Sequence, residues 1–126
     1  MFEFIEGTFE EINPSYLVVN CSGVGFMVEI PLSSYAYFKN KEKGKVFLHQ
    51  IIREDAHLLF GFASKKERTL FRALISVNGV GANTARMMLS SLETDELIRA
   101  VVKEDIATIK SIKGIGLKTA QRLIIE

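Results

Sequence analysis

A ten-residue segment occurs twice in the second half of this chain, and the duplication limits the fold more than any other feature. Ser76-Val77-Asn78-Gly79-Val80-Gly81-Ala82-Asn83-Thr84-Ala85 aligns with Ser111-Ile112-Lys113-Gly114-Ile115-Gly116-Leu117-Lys118-Thr119-Ala120, and the offset is 114 − 79 = 35 residues. Seven of the ten positions are identical or exchange one aliphatic for another. Apolar positions at helical spacing match on both flanks, Leu74 with Ile109 and Leu89 with Ile124. A repeat of this length with helical periodicity on either side is a duplicated helix–turn–helix unit. The half from Ala63 onward is therefore expected to be all-α.

The Gly-aliphatic-Gly turn has a physical reading. Glycine at C′ ends a helix in the left-handed conformation without a Cβ penalty. Val80 or Ile115 can tuck between the two helices and fix their angle. The second glycine leaves the backbone bare, so consecutive amides at the start of the next helix face outward and form a site for a phosphate. Asn83 and Thr84, or Lys118 and Thr119, add side-chain donors in the first turn, and Lys118 and Arg122 share a helical face. One Gly-x-Gly between helices is usually only a tight turn. Two copies, each followed by a polar first turn ending in Thr-Ala, favour the anion-binding reading. Such contacts hold a nucleic-acid backbone and read no bases.

The first half has a different period. Phe2 to Ile5, Thr8 to Ile12, Tyr16 to Val19, Gly25 to Ile30, Val46 to Ile52 and His57 to Phe62 are short runs rich in β-branched and aromatic residues. Gly7, Asn13-Pro14, Asn20 to Gly23 and Pro31 bound them as turn formers. Lys39 to Lys45 reads as a solvated loop and Arg53-Glu54-Asp55-Ala56 as a hairpin tip. Six strands in so short a span need closure to avoid bare edges, so a small Greek-key barrel of the OB type is expected, with a small sandwich as the alternative. The fold class is thus α+β: a barrel over residues 1–62, then a helical domain over residues 63–126. Ser64-Lys65-Lys66-Glu67 fits a capping box in which Glu67 returns a bond to the cap amide. Thr94 is expected to cap a helix begun by Asp95 and Glu96, and Asp105 to cap the next.

The net charge of +1 conceals an asymmetry: residues 1–62 hold five Lys/Arg against eight Asp/Glu, and residues 63–126 hold eleven against seven. An acidic half joined to a basic half hints at polyanion binding by one part. No apolar run is long enough to span a membrane, and the acidic, mixed N-terminus does not resemble a secretory signal. The single cysteine, Cys21, cannot form an internal disulfide, which favours a reducing, cytoplasmic setting. No cofactor, metal site or catalytic residue is expected. Cys21 has no base beside it, His49 and His57 lack ligand partners, and Leu117 stands where a P-loop needs glycine. Neither hairpin gives G-x-G-x-x-G, because Thr84 and Thr119 hold the third position.

The duplicated turn resembles the helix-hairpin-helix motif, a phosphate-binding module whose tandem copies grip both strands across a minor groove. Gln50-Ile51-Ile52-Arg53-Glu54-Asp55-Ala56-His57-Leu58-Leu59-Phe60-Gly61-Phe62, then Glu67-Arg68-Thr69-Leu70-Phe71 and both hairpins, resemble the RuvA family of Holliday-junction-binding proteins over the whole chain. That resemblance implies non-enzymatic binding of four-way junction DNA in recombination and repair. The barrel would be the core of a homotetramer, or of two tetramers, and the hairpin domains would hold the duplex arms. Glu54 and Asp55 would be an acidic pin that repels phosphates at the crossover. The implied DNA-binding residues are Asn78, Gly79, Val80, Gly81, Asn83 and Thr84, then Gly114, Ile115, Gly116, Lys118, Thr119 and Arg122. Family members continue into a small helical domain that recruits the ATP-driven RuvB motor, and a junction resolvase is a further partner of the full-length protein. This chain stops inside an apparent helix and so reads as truncated.

Two departures bear on affinity. Ala82-Asn83 stands where the family often has Pro-Lys, and Leu117-Lys118 where it often has Lys-Lys, and fewer cations imply weaker binding and a smaller salt dependence. Two other functions fit parts of the pattern. One is a DNA-repair enzyme subunit of the helix-hairpin-helix class, which needs a catalytic Lys or carboxylate in a pocket. The other is a single-strand binder of the OB type, which needs exposed aromatics interleaved with cations. Phe2, Phe4, Phe26 and Phe47 are accompanied by acids and are expected to pack in the core.

Overall fold

Strand pairing begins at a two-residue hairpin. Ser22 and Gly23 both have positive φ, 53° and 93°, and join β2 (Tyr16–Cys21) to β3 (Val24–Glu29) with Cys21 opposite Val24. Positive φ at both central positions matches the right-handed strand twist, and the Asn20 side chain accepts a bond from the Gly23 amide at 2.8 Å. The computed structural model describes residues 1–110 and the side chains of residues 1–108. Five strands form a closed barrel in the order β1-β2-β3-β5-β4, with β1 (Phe4–Ile12), β4 (Lys43–Ile52) and β5 (His57–Phe62) completing it. β3 and β5 are parallel and the other pairs antiparallel. The expected barrel of the OB type is present, and the sandwich is not.

Two of the expected strands are one. The expected strands Phe2 to Ile5 and Thr8 to Ile12 merge into a single β1 that starts at Phe4, with its first half paired to β4 and its second half to β2. Gly7 is not a turn. It sits where β1 passes from one partner to the other, and a Cβ there would collide with the Asn20 carbonyl oxygen. A register shift between Phe9 and Glu11 adds curvature just beyond it. Lys43 to Lys45, expected in a loop, are the first residues of β4.

Inward positions alternate along each strand: Ile5 and Phe9, Leu17 and Val19, Val28, Val46 and Leu48, Phe60 and Phe62 are buried. A helix that the strand pattern did not reveal, α1 (Leu32–Phe38), adds to this core. Its Phe38 is fully buried and meets Phe9 edge-on, with ring centroids 5.3 Å apart.

The first turn of α2 (Lys65–Ile75) is tied to the barrel. The Ser64 hydroxyl accepts from the Glu67 amide at 3.2 Å, the expected half of the capping box. The Glu67 carboxylate turns away from the cap and instead accepts from the Ser33 and Ser34 hydroxyls at 2.6 and 3.1 Å. Arg68 is 6% exposed; its guanidinium donates to the Glu3 carboxylate at 2.8 Å and to the carbonyls of Glu3 and Leu48 at 2.7 and 3.3 Å. The chain accordingly divides into two compact units after Arg68.

In the second unit α3 (Ala82–Ser91), α4 (Thr94–Val102) and α5 (Ile106–Lys110) follow α2. Phe71, Leu74, Val77, Val80, Ala85, Met88, Leu89, Leu97 and Ala100 are buried. Thr94 is the first residue of α4 and not its cap, a place taken by Glu93; Asp95 and Glu96 do lie in the first turn. Asp105 caps α5 as expected, accepting from the Thr108 amide at 3.1 Å and hydroxyl at 2.6 Å. Those bonds hold its carboxyl below the usual range. α4 ends in a Schellman pair, with the Asp105 amide on the Ala100 carbonyl and the Glu104 amide on the Val101 carbonyl. Glu104 accordingly takes a φ of 55°.

Candidate nucleic-acid interface

The turn between α2 and α3 is built by two glycines with different duties. Val80 donates its amide to the Val77 carbonyl at 3.1 Å, closing a β-turn with Asn78 and Gly79 at its centre. Gly79 has φ 94°, as the third position of a type II turn requires. It lies beyond the end of α2 at Ile75 and so is a turn glycine and not the C′ residue expected from the sequence. Val80 is 5% exposed, in keeping with the expected wedge.

Gly81 is the N-cap of α3, with φ −87° and ψ 175°, a conformation open to any residue. A Cβ added there would meet nothing within 4 Å, so the space above this backbone is open. No side chain caps α3. Its first amides point along the helix axis, where the dipole carries partial positive charge. Asn78, Gly79, Gly81 and Asn83 are exposed and Thr84 is half-buried. An exposed turn, open space beside an N-cap glycine and uncapped amides together make a seat for an oxyanion. The second hairpin's residues, Gly114, Ile115, Gly116, Lys118, Thr119 and Arg122, lie outside the described residues.

Glu54 and Asp55 occupy the tip between β4 and β5. The Arg53 amide donates to the Ala56 carbonyl at 2.8 Å, leaving the two acids as an exposed two-residue loop. His49 lies on β4 and His57 at the start of β5. Among the described residues no group of three or more His, Cys, Asp or Glu side chains could hold a metal ion. Among the same residues no helix is long and apolar enough to cross a membrane.

Sequence reasoning missed the surface role of two aromatics. Phe2 and Phe4, expected in the core, are 46% and 45% exposed, because β1 begins only at Phe4 and outward positions start there. Lys45 Nζ stands 4.3 Å from the Phe4 ring centroid and Lys41 Nζ 4.5 Å from that of exposed Tyr37. Phe26 and Phe47 are half-buried, and Arg68 lies 5.6 Å over the Phe47 ring. The alternation of lysines at 39, 41, 43 and 45 was the available signal, once that stretch is recognised as leading into a strand.

The fold and the turn define a class: an OB-type barrel joined to a helix-hairpin-helix region. Residues 1–61 match the RuvA N terminal domain, and residues 71–126 match the SAM-like helix-hairpin-helix tandem. Curated relatives named Holliday junction branch migration complex subunit RuvA align over the full chain. Those from Christiangramia forsetii, Bacteroides fragilis and Flavobacterium psychrophilum are 48%, 47% and 49% identical. The chain belongs to the RuvA family. It spans less than two thirds of these relatives' length, 65%, 63% and 65% respectively.

Proposed function

We propose that this chain binds four-way Holliday-junction DNA through its phosphates, without reading base sequence and without catalytic residues of its own. The observation that carries the reading is the α2–α3 turn, where Gly81 leaves open space beside uncapped helix amides. The binding residues are Asn78, Gly79, Gly81, Asn83 and Thr84, with Val80, buried and with its amide on the Val77 carbonyl, holding the turn in shape and not touching the phosphate. Gly114, Ile115, Gly116, Lys118, Thr119 and Arg122 are their counterparts in the second hairpin. Amides and cations placed against phosphate oxygens both contribute affinity, and the share from the cations falls as salt rises.

Residues 1–62 serve as the core of a homotetramer, alone or as two stacked tetramers, and residues 63–126 as the arm-binding domain. Fourfold symmetry matches four arms. Glu54 and Asp55 form the acidic pin. Their carboxylates at an exposed tip disfavour any DNA form that presses phosphates against it, so they select against the wrong substrate. In the full-length cytoplasmic protein the scaffold works with a separate ATP-driven RuvB motor and a junction resolvase.

A salt-titrated gel shift tests this by comparing an immobile four-way junction with duplex and single strand of equal length. The expected result is preference for the junction, lost progressively with salt. Glu54→Gln with Asp55→Asn should narrow the gap between junction and duplex. Equal affinity for junction and duplex in the parent chain would refute junction selectivity.

A further inference from the structure

We propose that the barrel carries a second nucleic-acid site, along β4 and the start of β1, that takes single-stranded nucleic acid. The strip is defined by register. Phe4, Glu6 and Thr8 of β1 stand opposite Phe47, Lys45 and Lys43 of β4. On β4, Lys43 and Lys45 are exposed, while Gly44 is half-buried and Val46 buried, so the two lysines share the outer face. Outward positions two apart on a strand are separated by about 6.7 Å. Lys39, the C-cap of α1, and Lys41 are exposed just before the strand in sequence, and Lys65 lies 6.0 Å from the Phe47 ring.

The aromatic partners make the row more than a charged surface. Lys41 lies over Tyr37, which is 54% exposed, and Lys45 over Phe4. Two of these lysines therefore each cover an exposed ring. The nearby acids are Glu42 and Glu6, the latter opposite Lys45, while Glu3 is bound to Arg68. Among the described residues none of these five lysines is in an ion pair, so five cations outnumber the two acids.

The chemistry selects the occupant. Lysine heads take phosphates of any nucleic acid, but aromatic faces gain only from bases that are free to stack, which a duplex withholds. The lysine that covers each ring can move to a phosphate as a base takes its place. The strip is also apart from the β2–β3 face on which barrels of this type commonly bind oligonucleotides. The site depends on neither hairpin, so its test separates from that of junction binding.

The experiment uses the whole 126-residue chain and fluorescence anisotropy of a labelled oligothymidine, against a duplex of equal length, over a range of salt. The changed residues, in Lys43→Gln with Lys45→Gln and in Tyr37→Leu, are exposed, and circular dichroism checks the fold. Removing both lysines should weaken oligothymidine binding at low salt about tenfold and reduce the slope of log K against log salt by about 1.4, at ~0.7 per phosphate contact. Tyr37→Leu should weaken it about fivefold or more at an unchanged slope, from lost stacking. Duplex affinity should change less than twofold in both. The inference is overturned by a parent chain that does not bind oligothymidine, by an unchanged slope, or by an equal loss on duplex. Gly81→Ser serves as the background that separates the two sites: it weakens the first hairpin's hold on junction and duplex, and the losses that the lysine and tyrosine changes cause on oligothymidine should be the same in its presence.

Discussion

Replacing Gly81 with serine should make the chain more stable and a poorer DNA binder. The opposite signs follow from the geometry. Gly81 has ordinary φ and ψ, and a Cβ there meets nothing within 4 Å, so serine enters without strain. It is also the N-cap of a helix that lacks a side-chain cap, and a serine hydroxyl can accept from the amide of Asn83 or Thr84. The gain over glycine at such a site is a few tenths of a kcal/mol. That bond occupies a donor the phosphate needs. A hydrogen bond to a charged group contributes about 1.5–3 kcal/mol, so losing one weakens binding roughly tenfold or more. Gly81→Asp should stabilise further through the helix dipole and bind still more weakly. Urea denaturation gives the stability arm and a gel shift with junction and duplex the binding arm. Unchanged affinity in Gly81→Ser, with the cap bond visible as higher stability, would mean that no phosphate sits on these amides.

Three further outcomes follow from backbone and side-chain geometry. Gly7→Ala forces a Cβ into the Asn20 carbonyl and should cost about 1–3 kcal/mol by urea denaturation, whereas Gly25→Ala, with only a 4.0 Å contact to Val18, should cost much less. Glu104→Gly relieves a left-handed residue at the end of α4 and should raise stability by about 1 kcal/mol; a loss would show that the Glu104 side chain matters more than its φ. The Tyr16 hydroxyl donates to Glu11 at 2.8 Å, and this bond raises the phenol above its ordinary value of 10.0. Because the folded value lies above the unfolded one, the associated stability is complete below pH 10 and disappears as pH rises through the folded value. Ultraviolet titration should show Tyr16 ionising later than free tyrosine, and Glu11→Ala, which removes the acceptor, should bring it back.

The strength of each sequence signal explains what could be read in advance. The barrel was legible because inward residues such as Leu17, Val19, Val46 and Leu48 alternate with polar or less buried ones, a pattern set by the pleat itself. Gly7 was misread because a glycine demanded by close approach looks in sequence like one demanded by a turn. α1 was missed because its seven residues carry Phe38 as the single large, fully buried hydrophobic side chain, too few to set a helical period. Glu67 matched the capping box by spacing, yet its carboxylate is claimed by Ser33 and Ser34, a tertiary bond that no local pattern announces. At the hairpin the residue types named the chemistry, while the division between Gly79 as turn former and Gly81 as open backbone needed dihedral angles.

The barrel places opposite charges along one strand, and their separation decides whether they act independently. Lys43 and Lys45 open β4, and Glu54 and Asp55 lie just past its end at Ile52. At about 3.4 Å per residue the span from Lys45 to the tip is roughly 25 Å. The Debye length is about 8 Å at physiological ionic strength and about 30 Å at 0.01 M. At physiological salt the tip can repel phosphates while the lysine strip attracts them, each unaffected by the other. In dilute salt the fields overlap, and the tip carboxylates offset part of the strip's attraction. Neutralising the tip by Glu54→Gln with Asp55→Asn should therefore leave oligothymidine affinity unchanged at 0.15 M salt and raise it severalfold at 0.01 M. A rise of similar size at both would place the bound strand against the tip itself and refute the separation argued from β4.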